Sequence, residues 1–252
     1  MPGSVKWDMQ LYPVFFFVHR TQMAASMSTC LATFFWILFI SLLVKSYFKL
    51  NPLLVDIGMF TISLLSMLLM FASIMKERCG TSSIGSVASS VVLPWVIMVG
   101  GTIALIRNFP GWIQPFSNTF GYMVALVPSL GATQKLVAIL SPENSSLLKL
   151  ITQDPNLLLN QFSTTRFEEI IQKLTQEGVV SGTPEAVDSF KSIVVLKDGI
   201  AEFIWYFLVG SVALTTSYNF MMNTVCQKDQ ITVVPADLEV EEEEEEEELV
   251  QF

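Results

Sequence analysis

The sequence predicts an all-α integral membrane protein: four transmembrane helices, one broken or re-entrant segment, a small helical subdomain and a disordered acidic tail. Three observations carry that prediction. First, 52% of the 252 residues are hydrophobic and only 15% are charged, with a mean hydropathy of +0.53, which is too apolar for an ordinary soluble domain. Second, four uncharged windows approach the roughly 20 residues that a bilayer core of about 30 Å requires of a helix. Third, each window is bounded by charge. They are Ala24 to Val44, Ile57 to Met75, Val87 to Ile106 and Phe203 to Met222, flanked by Arg20 and Lys45, Asp56 and Lys76, Arg78 and Arg107, and Glu202 and Lys228. In lipid the backbone must satisfy its own hydrogen bonds, so such windows are helices.

In chain order, 1–23 reads as an interfacial segment. Trp7, Tyr12 and Phe15 to Phe17 suit headgroup depth, and Pro13 with His19 and Arg20 argues against a signal peptide. The stretch 24–106 holds three spans. Within 107–140 the run Asn108 to Gln134 is uncharged, but Pro110, Gly111, Pro115, Gly121, Pro128 and Gly131 punctuate it. A re-entrant or interfacial structure fits that punctuation better than a fifth crossing.

From 141 to 199 the composition turns polar and helix starts become explicit. Ser141-Pro142-Glu143, Asp154-Pro155-Asn156 and Thr183-Pro184-Glu185 each place a capping side chain before a proline at the first helical position. Thr165 to Glu168 has capping-box spacing, Gly178 supplies a stop, and Val187, Phe190 and Val194 share a face. This subdomain rests on the bilayer or on the spans, and 200–226 returns to the membrane as the final span. The tail, 227–252, is polar and disordered unless bound. Asp237, Glu239 and the run Glu241 to Glu248 supply ten of the 23 acids, leaving thirteen against fourteen bases. The net charge of −9 is thus a property of the tail.

Chemistry is sparse. Cys30, Cys79 and Cys226 form no CxxC pair, and no disulfide framework, metal site or cofactor motif is visible. Cys30 and Cys226 read as small apolar packing residues, and Cys79, beside Lys76 and Arg78, is positioned for palmitoylation. No nucleophile triad, paired carboxylates or HExxH occur, so the expectation is a protein that is not an enzyme and that binds no nucleic acid. Glu202 and Arg107, at span edges, read as interfacial anchors. Pro94 and Gly100-Gly101 loosen the third span, and Asn144-Ser145-Ser146 is a glycosylation sequon usable only in a lumenal subdomain.

Three groups remain as candidate sites. Ser82, Gly85, Ser86, Ser89 and Ser90 make a small-residue face suited to close helix packing. Ser211, Thr215, Asn219 and Asn223 recur every fourth residue and form a polar stripe, which either bonds neighbouring helices or lines an aqueous pathway. Glu241, Glu242, Glu243, Glu244, Glu245, Glu246, Glu247 and Glu248 either attract a basic partner or simply solubilise the tail.

The stretch Asn108 to Tyr122 (NFPGWIQPFSNTFGY), which follows a glycine-bearing span, resembles multi-pass membrane proteins of large icosahedral DNA viruses of algae and protists. The resemblance covers Asn51 to Ala132 and implies a virion structural protein or minor capsid component. Such a protein sits in the internal membrane and links it to capsid or core proteins. The alternatives are a small channel or carrier using the polar stripe, and a cellular membrane adaptor whose tail recruits basic partners.

Overall fold

The structure, a computed structural model, describes residues 12–48, 50–80, 84–143, 145–223 and 226, and of residues 12–26, 84, 145 and 147 the backbone alone. Trp7, Ser82, Asn144 and the glutamate run lie outside the described residues. Among the described residues every regular element is helical, apart from one isolated bridge between Leu140 and Val180.

α1 (Tyr12–Phe48) runs 37 residues without a break, so the N-terminal apolar stretch and the first span are one helix. Pro13 does not interrupt it because the first helical turn needs no donor there. α2 (Pro52–Cys79) starts where Asn51 accepts a bond from Leu53 N, and ends on Gly80 at φ 74°. α3 (Ile84–Trp95) leads through a π-helical turn, Val96–Gly100, into α4 (Gly101–Asn108). The π turn follows Pro94 directly, as expected where a proline removes one rung of the ladder.

Among the described residues three helices are long and apolar enough to cross a membrane: Met27–Phe48, Pro52–Cys79 and Gly85–Asn108. Pro110–Ala125 and Pro128–Ile139, bent by 83°, make a fourth only if the two halves count as one broken span. The window 203–222 is not among the three. It carries the polar run Thr215 to Asn219, and it buries Tyr206, Gly210, Ala213, Leu214 and Ser217 against its neighbours.

The broken segment contains α5 (Gln114–Phe116), the π turn Ser117–Gly121 and α6 (Tyr122–Ala125). Beyond it lie α7 (Ala132–Ile139), α8 (Ser145–Gln153), α9 (Asn156–Leu159) and α10 (Phe167–Gln176). The Asp154 side chain accepts from Asn156 N as its sequence predicts. Ser141 starts no helix, since α8 begins four residues later. α10 begins two residues after Thr165, and Gly178 closes its end at φ 71°.

α11 (Pro184–Met222) is the organising element. Thr183 caps it by accepting from Ala186 N, and it continues for 39 residues, about 58 Å at 1.5 Å per residue. The predicted boundary near residue 200, between subdomain and final span, does not exist as a break. Its N-terminal half buries Phe190, Ile193 and Val194 in one core with Ala125, Leu136, Ile139, Phe162 and Phe167. Its C-terminal half buries Ala201, Tyr206, Ala213, Leu214 and Met221 in a second core with α1, α2 and α3. The appendage core thus draws on Ala125 and α7 as well as on 141–199, and starts earlier than composition alone suggests.

Helix contacts tighten at glycines. A Cβ on Gly210 would lie 2.2 Å from the Phe34 ring, and one on Gly121 would lie 2.3 Å from Lys197 O. At these two positions only hydrogen fits.

Candidate functional site: a ring of four charges

Four helices bring four charges together. Lys45 lies on the last turn of α1, Asp56 on the first turns of α2, Arg107 at the end of α4, and Glu202 midway along α11. Lys45 Nζ contacts Asp56 Oδ1 and lies 2.5 Å from Glu202 Oε2. Arg107 donates through Nε to Asp56 Oδ2 at 2.9 Å, contacts the same oxygen through Nη2, and approaches Glu202 Oε1 at 3.7 Å. Each cation therefore meets both anions, and the ring has no net charge. The Asp56 side chain is 1% exposed and Arg107, at the rim, 27%.

Such an arrangement resolves the physical problem of placing charge beside lipid. An isolated ion there costs several kcal/mol, whereas a closed set of alternating charges satisfies itself. Lys45 also sits 5.6 Å above the Tyr206 ring, and the Tyr206 hydroxyl is buried beside the Asp56 carboxylate. A cavity of about 10 Å³ opens between Ser41, Lys45, Asp56, Gly199, Glu202 and Tyr206. It has room for about one water.

Above the ring, α11 carries a second polar knot. Asp198 accepts from Ser117 Oγ and from Thr164 N, both at 2.6 Å, tying the broken segment and the appendage to the same carboxylate. The neighbouring Lys197 is 1% exposed and donates to Asn118 Oδ1 at 3.2 Å. Burial pushes its amine below the ordinary value of 10.5, against the opposing pull of Asp198. Trp205 Nε1 donates to Trp112 O at 2.9 Å, and Phe116 meets Trp205 edge-on at 4.9 Å. The proline-rich stretch Asn108 to Tyr122 is thereby fastened along α11, from the level of Trp205 up to that of Lys197.

The opposite end of the bundle is closed covalently. Cys79, at the end of α2, and Cys226, just past α11, form a disulfide with a Cα–Cα distance of 5.3 Å. Arg78 Nη1 donates to Met221 O and Met222 O, the last carbonyls of α11, at 3.2 and 2.8 Å. This corrects two expectations: Cys226 is not a free packing thiol, and Cys79 has no thiol left to acylate. Cys30 remains free and buried, as predicted.

The residues singled out from sequence fall elsewhere. Ser90 is buried and Ser86 half-buried, but Gly85 and Ser89 point outward, and nothing lies within 4 Å of a Cβ built on Gly85. That face is split rather than packed as a unit. Ser211 and Thr215 bond back to Phe207 O and Ser211 O of their own helix, and Thr215, Asn219 and Asn223 are exposed on the outer surface. The stripe therefore does not line a passage through the bundle.

Arg107 and Glu202 are ring members rather than independent anchors. Sequence reasoning missed the ring because each member lies at a span edge, where a lone charge has an ordinary explanation. A signal was present. If the four windows read from the sequence alternate across a bilayer, Lys45, Asp56, Arg107 and Glu202 fall on one face at one depth, two of each sign. Compared with known proteins, the chain matches no protein family, no curated protein and no solved structure.

Proposed function

We propose that this chain is a structural membrane protein: a four-helix anchor that holds a helical platform rigidly over one face of a bilayer. The observation that carries the reading is α11, one unbroken helix shared by both cores and locked where they meet by the charge ring and Asp198. In this reading the C-terminal half of α11 is the fourth crossing. From Glu202 to Met222 it rises about 30 Å, the thickness of a bilayer core, and it packs antiparallel to α1, Phe34 against Gly210. The broken segment does not cross. It climbs α11 away from the spans and presents Phe109 and Trp112 near the ring level, as an interfacial collar.

The partners are the bilayer laterally and proteins of the adjoining layer at the platform. In the narrower version, suggested by the Asn108 to Tyr122 resemblance, the membrane is the internal membrane of a virion and the adjoining layer is capsid or core. Purified particles stripped of soluble proteins with alkaline carbonate test it: retention of the chain in the membrane fraction supports the reading. Selective ion or solute flux through liposomes, abolished by Asn219→Leu, would overturn it in favour of a channel.

A further inference from the structure

Two marks of an oxidising, lumenal compartment lie at opposite ends of this molecule. The disulfide joins Cys79 to Cys226 at one end of the bundle. The sequon Asn144-Ser145-Ser146 belongs to the appendage at the other end, where Glu143 and Ser146 are exposed. Between the disulfide and the charge ring, α2 runs from Asp56 to Cys79, 23 residues or about 35 Å, which is enough to cross a bilayer core. Only one of the two marks can face the lumen.

We propose that the disulfide end faces the oxidising compartment, and that the appendage faces the reducing one with Asn144 unglycosylated. This goes beyond the anchor function and rests on α11 being the fourth crossing. The two marks are unequal. A sequon is three residues that recur by chance, whereas the disulfide needs two cysteines 147 positions apart brought to bonding distance by the fold. The fold secures that meeting independently through Arg78 and the carbonyls of Met221 and Met222.

Basic residues do not decide the matter, because they flank the described spans at both ends: Lys45 and Arg107 at the ring, Lys76 and Arg78 at the disulfide. Compartment chemistry does decide it, since disulfides persist where thiols are not continuously reduced.

Formation follows ordinary thiol–disulfide exchange with an oxidoreductase that carries a disulfide. One thiolate of the pair attacks the oxidant's disulfide and displaces one of its sulfurs as thiolate. The second thiolate of the pair then attacks the first cysteine's sulfur, closing Cys79–Cys226 and releasing the oxidant as a dithiol. Two electrons and two protons pass to the oxidant.

The test uses the full chain in sealed cells, with a C-terminal epitope tag and a Ser181→Cys reporter on the exposed surface of the appendage. A membrane-impermeant maleimide and an antibody are applied before and after selective opening of the plasma membrane, with glycosidase treatment alongside. The expected result is that the reporter thiol becomes reactive once the cytosol is opened and the tag stays hidden until the lumenal side is opened. No glycosidase shift occurs, and a non-reducing gel shows a mobility change that Cys226→Ser removes.

Reversed accessibility, or a glycosidase shift lost in Asn144→Gln, overturns the proposal while leaving the four crossings intact. If tag and reporter thiol are reached from the same side, the four-crossing reading itself fails. Absence of the disulfide from the non-reducing gel removes the basis of the assignment and overturns it as well.

Discussion

Replacing Asp56 by leucine is the most informative perturbation of the charge ring. It leaves Lys45 and Arg107 facing Glu202 alone, with one uncompensated positive charge at the bundle edge. Removing one partner from a fully buried pair costs roughly 3–5 kcal/mol. Asp56 is 1% exposed, but Arg107, at 27%, can turn part of its charge toward solvent. The expected loss is therefore at the lower end, about 3 kcal/mol.

Arg107→Leu alone is damaging for the mirror-image reason. The double variant Asp56→Leu/Arg107→Leu removes one charge of each sign and leaves the Lys45–Glu202 pair. It should cost less than the sum of the single changes, by roughly 1–3 kcal/mol of coupling. The exposed pair Lys191–Glu168 is the control; Lys191→Ala should cost at most about 1 kcal/mol. Reversible unfolding in mixed micelles, followed by far-ultraviolet circular dichroism, reads all four variants. Additive single and double costs, or an Asp56→Leu protein as stable as wild type, would refute the closed-ring account.

Other expectations follow from individual contacts. Gly210→Ala forces a methyl into the Phe34 ring and should destabilise by about 1–3 kcal/mol, whereas Gly85→Ala, with open space around it, should be neutral or slightly stabilising; the same unfolding assay separates them. Lys197 has a folded-state pKa below its ordinary value, so the unfolded chain binds the extra proton between the two values. Stability should rise with pH across that window, up to about 10.5, and Lys197→Met should flatten the slope while keeping or raising stability at neutral pH. Reduction of Cys79–Cys226, which closes a loop of 147 residues, should lower the unfolding midpoint. The chain-entropy argument sets an upper value of about 5 kcal/mol, and Cys226→Ser should abolish the sensitivity to reductant.

The spans were legible because lipid leaves the backbone few choices: uncharged stretches bounded by Lys45, Asp56, Lys76 and Arg107 have to be helices. Asp154 and Thr183 were legible as starts because a capping side chain bonds its own neighbours. What escaped is what depends on distant parts of the chain. The continuity of α11 through residue 200 was hidden by the shift in composition there, although no proline or cap interrupts it. The Cys79–Cys226 bond was hidden by the 147 residues between its halves. The small-residue face illustrates the converse. Ser86, Gly85 and Ser89 have the right spacing, but close approach is realised at Gly210 and Gly121, whose partners Phe34 and Lys197 no local pattern reveals.

Amide hydrogen exchange along α11, in a bilayer mimetic, tests the central claim most directly. If α11 is the single beam joining anchor to platform, protection should run without a gap from Phe190 to Leu214, including the amides of Leu196 to Ala201 between the two cores. Rapid exchange confined to Leu196 to Ala201 would reveal a hinge and would contradict a platform held rigidly over the membrane.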